Sequence, residues 1–204
     1  DEEILSYSLD IQIVRDDYGD VVTQDILYKP YRVHTKGYDI NMVFRDRNLS
    51  DLIGFHYSKY HADTAVSDFI NRINSLKKYN TMGKPLLVTV ILDGENAWEY
   101  YPNSGLDFLN KLYETITQDS SLECVRIGDY LEDYPPEQTL QHLCPGSWIG
   151  HNLATWIGHE EKNTAWELIE DTRTFLAKQN EKTSSTFHDD VIRNAYEEIF
   201  IAEG

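Results

Sequence analysis

Pro85-Leu86-Leu87-Val88-Thr89-Val90-Ile91-Leu92-Asp93-Gly94-Glu95-Asn96-Ala97-Trp98 is the stretch on which the reading of this chain turns. Its apolar part, entered through Pro85, is nearly unbroken and rich in β-branched residues. Such a run is expected to form a strand buried on both faces, as in a parallel sheet covered by helices. It then stops at two carboxylates, a glycine, an amide and an indole. Loops at the carboxyl ends of parallel strands are where α/β architectures build their sites. An acid pair with an aromatic neighbour at that point suggests chemistry on a sugar. An aspartate at the rim of a dry strand, beside Glu95, is in a setting that favours proton donation. The alternative reading is structural: Asp93 caps its loop, and Glu95 pairs with an arginine at a neighbouring strand end.

Working outward, residues 38–44 alternate, with Tyr38, Ile40, Met42 and Phe44 on one face, and read as a second strand. It runs into Arg45-Asp46-Arg47, which should open onto the same rim. Either Arg45 and Asp46 hydrogen-bond sugar hydroxyls, or Arg45 forms a salt bridge with Asp93 or Glu95. A helix is predicted over roughly 63–78, capped by Asp63 or Thr64, with Val66, Phe69, Ile70, Ile73 and Leu76 as its stripe. Ser104-x-x-Asp107 signals the start of another, carrying Leu106, Leu109, Leu112, Tyr113 and Ile116. Residues 123–127 read as a further strand. The order from 38 to 127 is then strand, helix, strand, helix, strand, which implies right-handed crossovers and a mostly parallel sheet or barrel.

Before residue 38, Ile4 to Ile13 suggest a short helix passing into a strand, Asp16 to Asp20 a turn, and Tyr28 to Val33 an extended segment. Pro135-Pro136 marks a change of character, so the domain expectation is 1–134 for the α/β part and 135–204 for a loop and helical segment. The loop, Cys144 to Asn152, holds Trp148 and His151, whose side chains are available for packing or for ligand stacking. Trp156 and Trp166 read as core. Thr164-x-x-Glu167 is a capping box for a helix carrying Ala165, Leu168, Ile169, Phe175 and Leu176. A linker over 178–185 leads to the last helix, with Val191, Ile192, Ala195 and Ile199 facing inward.

Composition removes whole classes of function. With 35 acidic against 18 basic residues the formal charge is −17, and no Lys/Arg cluster occurs. Nucleic acid and anionic membranes are therefore not expected partners. The seven histidines and two cysteines show no metal-ligand spacing, so no metal or other cofactor is expected. Cys124 and Cys144 read as reduced thiols, which suggests a cytoplasmic setting. No G-x-S-x-G, P-loop or dinucleotide glycine pattern is present.

Taken together, Tyr28-Lys-Pro-Tyr-Arg-Val33, Phe44-Arg-Asp-Arg-Asn-Leu-Ser-Asp-Leu-Ile-Gly-Phe55, Leu92-Asp-Gly-Glu-Asn-Ala-Trp-Glu-Tyr-Tyr-Pro102, Gly146-Ser-Trp-Ile149 and Trp156-Ile-Gly-His-Glu-Glu-Lys-Asn-Thr-Ala-Trp166 resemble the family-57 glycoside hydrolases. The likeness is to their α-amylase and amylopullulanase branch. It implies an α/β fold, the C-terminal part of an incomplete (β/α)7 barrel followed by a helical segment, and retaining action on an α-glucan or maltooligosaccharide. It also places the general acid/base on Asp93. Asp46, Arg45, Glu95, Trp98, Trp148 and His151 are the candidate substrate-binding residues. A retaining glycosidase needs a second carboxylate, as nucleophile, about 5–5.5 Å from the first. The family's nucleophile motif has no counterpart in this chain, and Asp1-Glu2-Glu3 resembles the segment that follows it. The expectation is thus a fragment, inactive alone, with exposed sheet edges through which two copies could pair. A non-catalytic carbohydrate-binding module or a protein-interaction domain is the alternative.

Overall fold

The computed structural model describes residues 1–80, 83–95, 97–181 and 186–203. Asn96, part of the expected helix break at 81–82, the linker at 182–185 and Gly204 lie outside them. Two compact units are present, Asp1–His151 and Asn152–Gly204. Residues 135–151 therefore go with the first unit.

The first unit is mixed α/β, with a small three-stranded sheet among helices. Helix α1 (Glu2–Leu9) starts at Asp1, whose carboxylate accepts from the Glu3 amide, and ends at Asp10 in the left-handed region. The short α2 (Gln24–Leu27) leads into β1 (Tyr31–Thr35). A two-residue turn, Lys36-Gly37, returns the chain as β2 (Tyr38–Met42), antiparallel to β1, with Val33 opposite Ile40. Both turn residues have positive φ, 46° and 85°, the geometry whose twist matches a tight hairpin. The third strand, β3 (Gln138–Leu140), pairs parallel to β1, giving the order β2-β1-β3.

This sheet differs from the expected one. The 38–44 strand is present but pairs antiparallel, and residues 121–126 are not a strand. The 85–92 run is extended yet forms no ladder. Its amide and carbonyl groups are divided among several neighbours: the Leu87 amide donates to the Tyr28 carbonyl, the Thr89 carbonyl accepts from the Asp46 amide, and the Ile91 amide donates to Ser50 Oγ. Leu87 and Thr89 are buried, Val88 and Val90 only half-buried, and Ile91 is exposed. The segment thus buries its two faces unequally, with Leu86, Val88, Val90 and Leu92 packed only partly on the core, where its composition suggested both would be sealed.

Helices α3 (Arg47–Asp51) and α4 (Ala62–Ser75) flank an irregular turn over 52–59, and α5 (Leu106–Gln118) packs on α4. The predicted stripe of α4 is the buried one: Val66, Phe69, Ile70 and Leu76 are all in the core. Its cap is His61, one turn earlier than read. Helix α5 is entered through Gly105 rather than capped by Ser104. At φ +78°, Gly105 packs so tightly under the Trp98 indole that a Cβ would lie 2.5 Å from its Cε3 atom. A short α6 (Ile127–Asp133) precedes β3.

The second unit holds α7 (Glu160–Asn180) and α8 (Thr186–Glu203), packed through Leu176, Ile192 and Ile199. Helix α7 is capped at His159, five residues before the expected capping box. Leu168, Phe175 and Val191, expected inside, are exposed, as are Trp156 at 41% and Trp166 at 38%. Two helices alone cannot cover the apolar stripes that both carry.

Candidate active site

Arg45 and Asp46 sit where an extended segment meets α3, so their side chains leave the backbone in opposite directions. Asp46 turns inward and is only 1% exposed. Its Oδ1 accepts from the Leu49 amide at 2.9 Å, capping α3, and from Arg15 Nη2 at 3.1 Å. Its Oδ2 accepts from the Tyr28 hydroxyl at 2.6 Å. Glu2 closes the group, accepting from Arg15 at 2.5 Å and from the Arg47 amide at 3.0 Å. Burial alone would weaken the charge on Arg15, but Asp46 and Glu2 outweigh it and hold the guanidinium above its ordinary pKa. Burial and the Asp46 carboxylate push the Tyr28 phenol far upward. Asp46 is therefore committed on both oxygens to the frame of the fold.

Arg45 turns the other way, also buried, and gathers four parts of the chain. Its Nε donates to the Ile91 carbonyl at 3.0 Å, two residues before Asp93. One Nη reaches Asp1 Oδ2 at 3.4 Å and the other pairs closely with Asp51. The Trp148 ring lies against its guanidinium, 5.3 Å from Cζ to centroid. This planar cation, pinned by a carbonyl and two carboxylates, fixes the end of the extended segment that carries Asp93. Of the two readings of Arg45, a salt bridge to Asp93 or Glu95 is not among these pairings, which go to Asp1 and Asp51.

Trp148 and His151 approach from the 144–151 loop. Trp148 leaves 42% of its surface open while packing on Arg45. His151 has a left-handed backbone, φ 57°, and its ring meets Tyr7 edge-on. Its Nδ1 is buried without a hydrogen-bond partner among the described residues, 3.8 Å from Asp1 Oδ1. Gly146 allows this loop to lie flat, since a Cβ there would meet Ile4 Cδ1 at 2.4 Å and the His151 carbonyl at 2.7 Å.

Asp93 and Glu95 are both exposed, so the low-dielectric setting inferred from the apolar run is not found around them. Trp98 faces elsewhere: it packs on Tyr101 and Phe108 at 5.3 and 6.3 Å between ring centroids. The structure thus gathers Arg45, Trp148 and His151 beside the segment ending at Asp93, with Asp46 on the far side of the backbone and Trp98 in an aromatic cluster. Asp1, Asp51 and Arg15 were missed in the sequence. Asp1 at least carried a signal, because Asp-Glu-Glu is a helix start.

The family model of glycosyl hydrolase family 57 matches residues 8–142, more than half of the chain. The chain belongs to glycosyl hydrolase family 57. Asp93, Arg45, Asp46, Glu95 and Trp98 lie inside the matched span, and Trp148 and His151 just beyond it. No curated protein matches the chain. Among solved structures, a 4-alpha-glucanotransferase from Thermococcus litoralis is similar over 74% of this chain and 22% of its own, at 18% identity and a TM-score of 0.48. The chain therefore spans about a fifth of that protein's length.

Proposed function

We propose that this chain is part of a retaining glycoside hydrolase or glucanotransferase of the α-amylase and amylopullulanase type, acting on α-glucans, with Asp93 as the general acid/base. One observation carries the assignment: Asp93 is exposed directly after a segment whose end is clamped by the buried Arg45, with the open face of Trp148 on the same clamp. In that arrangement Asp93 protonates the leaving glycosidic oxygen and then takes a proton from water or an acceptor hydroxyl. Arg45 acts at one remove, holding the backbone from which Asp93 projects, and Trp148 offers a face to a pyranose ring. His151, whose side chain is 26% open although its Nδ1 is buried, is the polar group on the same loop that we assign to a substrate hydroxyl.

The nucleophile belongs to sequence outside this chain, and so does the remainder of an incomplete (β/α)7 barrel that would dry the surroundings of Asp93. On this reading the chain by itself turns over no glucan. In the enzyme that contains it, Asp93→Asn should reduce turnover of maltooligosaccharides by about 10²–10⁴-fold, the usual contribution of a positioned acid/base. Steady-state kinetics on the purified variant provide the check. Wild-type rates there would remove Asp93 from the chemistry, and glucan binding without turnover by the intact wild type would favour a binding module instead.

A further inference from the structure

Apart from the Arg45 clamp, the first unit carries a groove of about 710 Å³ between the start of α4 and the first turns of α5. That is within the range of small-ligand sites, about 300–1,000 Å³. Its floor is rigid. Tyr57 is buried with its hydroxyl donating to Asp68 at 2.6 Å, and Tyr101 is buried with its hydroxyl donating to the Ile53 carbonyl at 2.5 Å. Over this floor stands Tyr60, 55% exposed, its ring braced edge-on by Tyr57 at 6.2 Å. The opposite wall is one face of α5, where Asn110, Lys111 and Glu114 line the groove. Lys111 and Glu114 lie 3.1 Å apart and are both partly open.

This lining selects a ligand class. Carboxylates outnumber cations on the walls, with Asp63 and Asp107 added to Glu114 against Lys111, so a phosphate or other anion is disfavoured. A free aromatic face, an amide, an ammonium and carboxylates in one groove suit a neutral polyhydroxylated chain: ring C–H surfaces pack on Tyr60, and hydroxyls donate to Glu114 and accept from Lys111. The groove is also tied to the Asp93 loop, because its lining residues Tyr101 and Phe108 are the two rings on which Trp98 packs.

We infer that this groove is a second oligosaccharide-binding site, separate from the Asp93 loop, that holds a neutral glucan chain against Tyr60 and the polar face of α5. The choice of glucan rests on the function proposed above, whereas the preference for a neutral polyol rests on the groove alone.

The test is a titration of the isotopically labelled chain with maltoheptaose, followed at the amides of residues 57–63 and 107–114. The wild type should show saturable shifts there, and glucose 1-phosphate should bind more weakly. Tyr60→Ala should raise Kd by roughly tenfold, as expected for losing one ring face, and Glu114→Ala should raise it as well. Asp93→Asn should leave these shifts and their Kd unchanged. All three substitutions are at exposed positions, and an unaltered far-ultraviolet dichroism spectrum establishes that each variant is folded. The inference is overturned if the wild type shows no shifts in these segments, if Tyr60→Ala and Glu114→Ala bind as the wild type does, if the phosphorylated sugar binds as well, or if Asp93→Asn abolishes the shifts. Retained turnover in Asp93→Asn enzyme would sink the catalytic assignment without touching this site.

Discussion

Arg45 and Asp46 are adjacent in sequence and equally plausible as sugar ligands, yet their environments separate them. Asp46 satisfies a helix amide, a guanidinium and a phenol at once. Removing its carboxylate would leave Arg15 and Tyr28 facing a buried gap. Asp46→Ala should therefore destabilise the chain by about 3 kcal/mol or more, as expected when a buried charge loses its partner. A urea titration monitored by circular dichroism measures it, and a loss below about 1 kcal/mol, the worth of an exposed pair, would make the network ornamental. That division of labour was not legible beforehand, because Arg15 lies 31 residues from Asp46. What the sequence did display was the rim itself: the place where the 85–92 run ends is where Arg45, Trp148 and the Asp93 loop come together.

At the scale of elements, helices were readable and strands much less so. The stripe of α4 needs only a 3.6-residue period and an apolar neighbour, and Val66, Phe69 and Ile70 found one. The 85–92 run has strand composition, but its bonds go to Tyr28 and to the Asp46–Ser50 stretch rather than to a partner strand, and its alternate residues Leu86, Val88, Val90 and Leu92 are only half-buried. The hairpin signal was Lys36-Gly37, a short turn whose positive φ values no periodicity reveals. The core of the first unit holds several buried tyrosines, and this has a consequence for pH. Burial raises Tyr101 from its ordinary value of 10.0 to about 12, and it pushes Tyr31 and Tyr57 higher still. A phenol whose folded value is raised stabilises the fold fully below its unfolded value, and that stability is lost as pH climbs through the folded one. Urea midpoints should thus be level up to pH 10 and fall between pH 10 and 12, with phenolate absorbance rising as the chain unfolds. A midpoint that stays level through pH 12 would show that these rings are not held in the core.

For the molecule as a whole, the two units differ in how well they cover themselves. The first has a continuous core running from Ile4 to Leu140. The second relies on Leu176, Ile192 and Ile199, while Phe175, Phe200 and Ile201 stay exposed. The sheet also ends in β2, whose Tyr38 and Ile40 are exposed at an edge that no other described strand pairs. Open edges with apolar side chains pair with other chains. Sedimentation velocity should show reversible self-association of this chain, reduced by Ile40→Lys. A monomer at all concentrations would argue that these surfaces are inert. The sequence showed amphipathic stripes in both closing helices but not that Leu168, Phe175 and Val191 would be left outside, since a stripe does not say how many neighbours will cover it.

His151 holds a left-handed backbone that costs most side chains roughly 1–2 kcal/mol, while its Nδ1 is buried with no hydrogen-bond partner among the described residues. Glycine would rest there more comfortably. On the function proposed above, this loop is a spot where durability is traded for a task, and His151→Gly should harden the fold at the expense of that task.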